Sequence, residues 1–126
     1  MVAPHVNSAH ARMIRLDIRE ITRRLIGSLG GTLVAALSGS KDPKLPYRWA
    51  KVDGPSPKNE SMRRLQFAYE QWTKLAQCEG EDVARAWFIG ANPWLDYDTP
   101  ITAIREDRFK EAGQAAQALV SESFSG

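Results

Sequence analysis

Lys44, Arg48 and Lys51 recur at i, i+4 and i+7 with Tyr47 beside them, so on a helix the three cations share one face. Leu45, Trp49 and Val52 recur at the same spacing on the opposite face, as a stripe for packing. A short helix with donors outward and apolar groups inward is what the major groove of duplex DNA admits. Arginine matches the O6 and N7 acceptors of guanine with two parallel donors, so Arg48 is the first candidate for base contact, followed by Lys44 and Tyr47. Lys41, Lys51 and the Ser40 hydroxyl suit phosphates, which position a protein without reading sequence. Lys58 lies near the start of a later helix whose unpaired N–H groups offer a second phosphate site. Trp49 lies on the apolar stripe and is assigned to the core rather than to a base stack.

Other chemistry finds little footing. His5 and His10 are five apart, with no cysteine or carboxylate cluster near them, which is not a metal-ligand spacing. Cys78 is the only cysteine, so no intrachain disulfide can form, and it reads as a small residue at a helix end. Met13 and Met62 read as core filler. No phosphate loop, nucleophile elbow or histidine-centred triad is legible. The expectation is a non-enzyme without metal or cofactor.

The elements that must position the cations are helical throughout. Alternating β-branched runs and Asn-Gly or Asp-Gly hairpin turns are absent from the sequence, so an all-α fold is expected. Ile14, Ile18, Ile21, Leu25 and Leu29 mark one face of a first helix from about Ser8 to Ser28, and Arg12, Arg15, Arg19 and Arg23 mark another. Gly30-Gly31 breaks it, and Thr32 is expected to cap a short helix with Leu33, Val34 and Leu37 inward. Ser38-Gly39-Ser40 supplies a tight turn. Asp42-Pro43 then signals the start of the cation-bearing helix, which runs to about Val52 and stops at Asp53-Gly54-Pro55. Helix, glycine-containing turn and second helix together form a helix-turn-helix.

Ser56-Pro57 repeats the cap logic and opens a long helix to about Gln77, with Met62, Leu65, Tyr69, Trp72 and Leu75 as its core stripe. Gly80 closes it, and any hinge falls near Cys78–Gly80. A helix from Glu81 to about Ile89 follows, with Val83, Ala86 and Trp87 inward. Gly90 to Asp96 is irregular, Thr99-Pro100 caps a short helix to about Glu106, and a last helix spans about Arg108 to Ser123. The last helix packs through Phe109, Ala112, Ala116 and Leu119. Three segments result: residues 8–55 for the helix-turn-helix, 56–78 for a linking helix, and 79–126 for a C-terminal module.

Charge divides along the same line. Residues 1–64 carry 12 Lys/Arg against 5 Asp/Glu, and residues 65–126 carry 5 against 10. A basic half suits nucleic acid through counterion release, while an acidic half does not. No apolar run reaches the roughly 20 residues that span a bilayer, and residues 1–10 lack the apolar core of a signal peptide, so a cytoplasmic location without membrane contact is expected. A single short recognition helix binds modestly, so a homodimer reading two half-sites is expected. Its contact surfaces would be the residual apolar face of the first helix and the long helix around Phe67 and Trp72.

The stretch Trp87-Phe88-Ile89-Gly90-Ala91-Asn92-Pro93-Trp94-Leu95-Asp96-Tyr97-Asp98-Thr99-Pro100-Ile101-Thr102-Ala103-Ile104-Arg105 resembles the toxin-binding module of Xre/MbcA/ParS-type antitoxins. The shared features are an Asn-Pro element, a Leu-Asp pair, then Thr-Pro and an aliphatic helix ending in a basic residue. Upstream, Tyr47-Arg48-Trp49, Pro55-Ser56-Pro57 and the long helix are similar to the family's helix-turn-helix and linker, so the resemblance covers about Leu25 to Val120. It implies a regulator that represses its own operon and neutralises a toxin of RES-type fold, which consumes NAD. The partner-contacting residues it implies are Asn92, Pro93, Leu95, Asp96, Thr99, Pro100 and Arg105. Pro93, Leu95 and Pro100 fit a fold-building role better than contact. Tyr97-Asp98 stands where many members have Gly-Arg, which reverses a charge. A phage or prophage repressor without a toxin, and a protein-interaction module without specific DNA binding, are the alternative readings.

Overall fold

The computed structural model describes residues 17–125, with side chains as far as Ser123. Ile14, His5, His10, Met13, Arg12, Arg15 and the expected helix start near Ser8 lie outside the described residues. Asp17 stands outside the helical conformation, with φ −43° and ψ 125°, and its carboxylate accepts the Arg19 N–H at 3.0 Å, so helix α1 (Ile18–Leu29) opens there. Ile21, Leu25 and Leu29 are buried, on the face that their spacing predicts. Gly30 alone joins α1 to α2 (Gly31–Ser38), with φ +88° and ψ 152°, a conformation almost confined to glycine. Gly30 is therefore the cap of α2, and Thr32, the expected cap, lies inside the first turn without a capping bond. Val34 and Leu37 are buried as expected, and Gly39 ends α2 in the left-handed region.

The cation-bearing helix is shorter than its sequence suggests. Helix α3 is the single turn Leu45–Trp49, where the spacing predicts Pro43 to Val52. Asp42 does accept from the chain ahead of it, at 2.9 Å from the Lys44 N–H, but Pro43 and Lys44 remain in a turn. Lys51 and Val52 fall in the following loop, and Val52 is 78% exposed instead of facing the core. The loop turns back on the end of α3 so closely that a Cβ on Gly54 would strike the Arg48 carbonyl oxygen. Helical extension past Trp49 and this reversal are mutually exclusive.

Helix α4 (Asn59–Glu79) begins two residues later than Ser56-Pro57 predicts. Lys58 is the N-cap residue, in an extended conformation and without a side-chain cap, while Pro57 is buried in the segment before it. Leu65, Ala68, Trp72 and Leu75 form the buried stripe, Met62 and Tyr69 are half-buried, and Gly80 closes the helix with φ +90°. Helix α5 (Glu81–Ile89) buries Ala84, Trp87 and Phe88. Val83 and Ala86, expected inward, are exposed, so the inward face is rotated by one residue from the sequence reading. A 3-10 turn (Pro93–Leu95) leads to α6 (Pro100–Arg105) and α7 (Phe109–Ser125).

Among the described residues all regular structure is helical, as the sequence predicts. Helix α4 runs through the middle and packs against α1, α2, α5, α6 and α7. One continuous core draws Leu25, Leu37 and Trp49 from the first segment, Leu65 and Leu75 from the linking helix, and Phe88, Leu95 and Ile104 from the last. Arg64 fastens the segments: it donates to the Ser38 carbonyl at 3.0 Å and grips both Asp107 carboxylate oxygens, at 2.9 and 3.1 Å. No helix among the described residues is long and apolar enough to cross a membrane.

Candidate functional site

The turn between α2 and α3 is built by its own side chains. The Ser40 hydroxyl accepts the Asp42 N–H at 3.1 Å and donates to the Asp42 carbonyl at 2.9 Å. Asp42 spends one carboxylate oxygen on the Lys44 N–H and the other on the Arg48 guanidinium, at 2.9 Å. The Lys44 N–H and then Arg48 hold the Asp42 carboxyl below the usual carboxylate range. Ser40 is thus a turn-former as much as a phosphate candidate, and Arg48 is paired across the turn. Tyr47 is 51% exposed, yet its ring lies so close to Gly31 that a Cβ there would strike it. Glycine at residue 31 is what leaves room for the Tyr47 ring over the start of α2.

Lys41, Lys44, Arg48, Lys51 and Lys58 are all exposed. Ser40, Lys41 and Lys58 border one cleft of about 480 Å³, together with Asp42, Ser56 and Ser61, over a floor of Leu45 and Trp49. Chain segments separated in sequence meet here at the uncapped N-terminus of α4. Lysines, hydroxyls and free helix N–H groups are the components of a phosphate site. Lys44, Arg48 and Lys51 do not share one helix face, because Lys44 precedes α3 and Lys51 follows it. Ser56 and Ser61 join the site through tertiary packing; in the sequence Ser56-Pro57 signals only a helix cap.

The arginines of α1 are turned to internal use. Arg23 and Arg24 pair with Glu20, and Arg24 also donates to the Tyr69 hydroxyl at 2.7 Å. Glu20 first, then Tyr69, raises the affinity of Arg24 for its proton. Arg19 pairs with Asp17 and donates to the Val52 carbonyl, tying the loop after α3 to α1.

The second candidate cluster is a knot around Asn92. Its side-chain oxygen accepts from Trp94 N–H at 2.9 Å, and its carbonyl accepts from Leu95 and Tyr97 at 2.9 and 2.8 Å. Its own N–H donates to the Asp98 carbonyl at 3.1 Å. Asp96 and Tyr97 both have positive φ, 55° and 68°, a strained pair that the knot enforces. Leu95 and Pro100 are buried and build the fold, whereas Pro93 is exposed. Thr99 caps α6 by accepting the Thr102 N–H at 3.1 Å, and Asp96 and Arg105 are exposed. Asp98, the charge-reversed position, pairs with Arg108 at 3.1 Å, and Asp98, Glu106 and Glu111 all raise the proton affinity of Arg108.

Trp94 (58% exposed) and Tyr97 (71% exposed) stand out from this knot. Neither carries a sequence signal for contact beyond its place in the irregular segment and the antitoxin-like stretch. A small cleft of about 130 Å³ beside Trp94 is lined by Trp87, Asn92, Pro93, Leu119 and Glu122 among others. No cluster of metal-ligating side chains occurs among the described residues. Comparison with family models, curated proteins and solved structures finds no match to this chain.

Proposed function

We propose that this chain is a homodimeric DNA-binding regulator of antitoxin type, which represses its own operon through its basic half and neutralises a partner toxin through its acidic half. The observation that carries the DNA half is the cleft where Ser40, Lys41 and Lys58 meet at the open N-terminus of α4. Beside it, Lys44, Tyr47, Arg48 and Lys51 are exposed within one short stretch of chain. Phosphate held in the cleft would set the register, and Arg48 would leave Asp42 to read a base edge. The toxin half rests on the antitoxin resemblance. The exposed Trp94 and Tyr97 give it support, as large rigid side chains suited to a protein interface. The partner implied is a RES-type toxin.

The test is binding to the DNA upstream of the gene, against scrambled DNA, at one stated salt concentration. Wild type is expected to favour its own upstream DNA, and Arg48→Ala or Lys44→Ala to abolish the preference, a loss of about 1–3 kcal/mol per contact. No preference in wild type would remove the DNA half. A second reading, an interaction module without specific DNA binding, is favoured by the single-turn length of α3 and by the Arg48–Asp42 pair. Under it the two variants leave binding at wild type's non-specific level.

A further inference from the structure

The long helix leaves one side uncovered. A shallow groove of about 620 Å³ runs along it, with Arg63, Phe67, Glu70, Lys74 and Gln77 on its floor and Ile21 and Phe109 on its walls. Phe67 is half-buried against Phe109, with ring centroids 4.9 Å apart, and its other side faces the groove. Trp72, expected to share this surface, is 8% exposed and belongs to the core. Glu60, Arg63, Phe67, Glu70, Lys74 and Gln77 follow alternating three- and four-residue steps, the spacing of a helix face that meets another helix.

Charge order along this face is self-complementary about Phe67. Glu60 and Lys74 lie seven residues to either side of it, and Arg63 and Glu70 lie four before and three after. Two antiparallel copies related by a two-fold axis beside Phe67 set each Glu60 against the other copy's Lys74 and each Arg63 against its Glu70. The two phenylalanines meet at the centre. An axis beside Glu70 instead opposes two glutamates, and one between Ala68 and Tyr69 opposes Arg63 to Lys74. Glu60, Arg63, Glu70 and Lys74 form no ion pair among the described residues, and the Arg63 charge helps Arg64 to lower the Asp107 carboxyl.

We infer that the occupant of this groove is a second copy of the chain, docked α4 to α4 with Phe67 on the two-fold axis. An isologous contact of this kind needs only one self-complementary patch. It deepens the function proposed above by naming the dimer face. Its charged pairs set register and orientation, while the central aromatic supplies most of the affinity.

The experiment is sedimentation equilibrium of the full chain without DNA, so its outcome is independent of DNA binding. Wild type is expected to be dimeric at about 100 µM, where a micromolar complex is nearly full. Arg63→Glu and Glu70→Arg each oppose like charges twice per dimer and are expected to raise the dissociation constant at least about tenfold. The combined R63E/E70R variant restores both pairs with their signs exchanged and is expected to dimerise again. An equimolar mixture of the two single variants is also expected to dimerise, since each supplies what the other lacks. Circular dichroism of each variant checks folding. A wild-type chain that stays monomeric, or single variants that dimerise like wild type, would overturn the proposal; so would a mixture that does not recover.

Discussion

Arg48 is paired with Asp42 across the turn, and under the proposed function this pair would set how freely the basic turn meets an anion. Both side chains are about half exposed, so the pair adds little stability of its own and can be exchanged for a phosphate or a base. Asp42→Asn retains the acceptor for the Lys44 N–H while releasing the guanidinium. It is expected to raise affinity for non-specific DNA several-fold and to steepen its salt dependence, read from binding isotherms at several salt concentrations. Asp107 occupies a different kind of pair. Its partner Arg64 is only 17% exposed, and that arginine first of all lowers the Asp107 carboxyl below its usual 3.8. A depressed folded-state value means stability that is present above pH 4 and lost as pH falls through the lowered value. Asp107→Asn keeps a residue that tolerates positive φ, so its expected cost of about 1 kcal/mol reports the ion pair. Its stability, by denaturant unfolding, should converge with that of wild type as the pH is lowered below 4.

At the scale of elements, the sequence is clearest where one local signal has no competitor. Thr99-Pro100 caps α6 as its residues predict, and the glycines at residues 30, 39 and 80 end helices where they stand. It misleads where two signals compete. Pro43 can begin a helix, but Ser40 and Asp42 bind the chain into successive turns first, and α3 is delayed to Leu45. The periodicity through Val52 is equally real as a pattern, yet the contact of Gly54 with Arg48 ends the helix at Trp49. The candidate residues were therefore legible by type, while their arrangement was not. Ser40, Lys41 and Lys58 converge on a cleft through tertiary packing, which periodicity cannot report. The knot at Asn92 was legible as an irregular segment, but the outward Trp94 depends on the two strained residues that follow. Gly54→Ala tests the account of α3. With a rigid carbonyl in the way, a loss of about 1–3 kcal/mol is expected by thermal or chemical unfolding, against less than about 0.5 at exposed Lys51→Ala.

The whole molecule joins a basic and an acidic half through one core, so the halves should not unfold separately. Leu65 is fully buried on α4 where both halves meet it. Leu65→Ala is expected to cost about 2–5 kcal/mol and to lower a single unfolding transition, seen identically by tryptophan fluorescence and circular dichroism. Trp49 and Trp87 report from opposite halves of that core, so divergent transitions would show two units. Gly30 and Gly80 carry this unity into the backbone. Each is the sole residue between two helices, with nearly the same angles, φ 88° and 90°, ψ 152° and 160°. Each also donates back into the helix before it and accepts from the helix after it, at 2.8 to 3.1 Å. Such a corner has no slack, so the chain's tolerance of added length is uneven. One alanine inserted beside either glycine would swing the following helix by about 100° about its axis and carry its apolar side away from the core. The same insertion between Pro55 and Ser56 falls in exposed chain outside any helix and is expected to be borne better there.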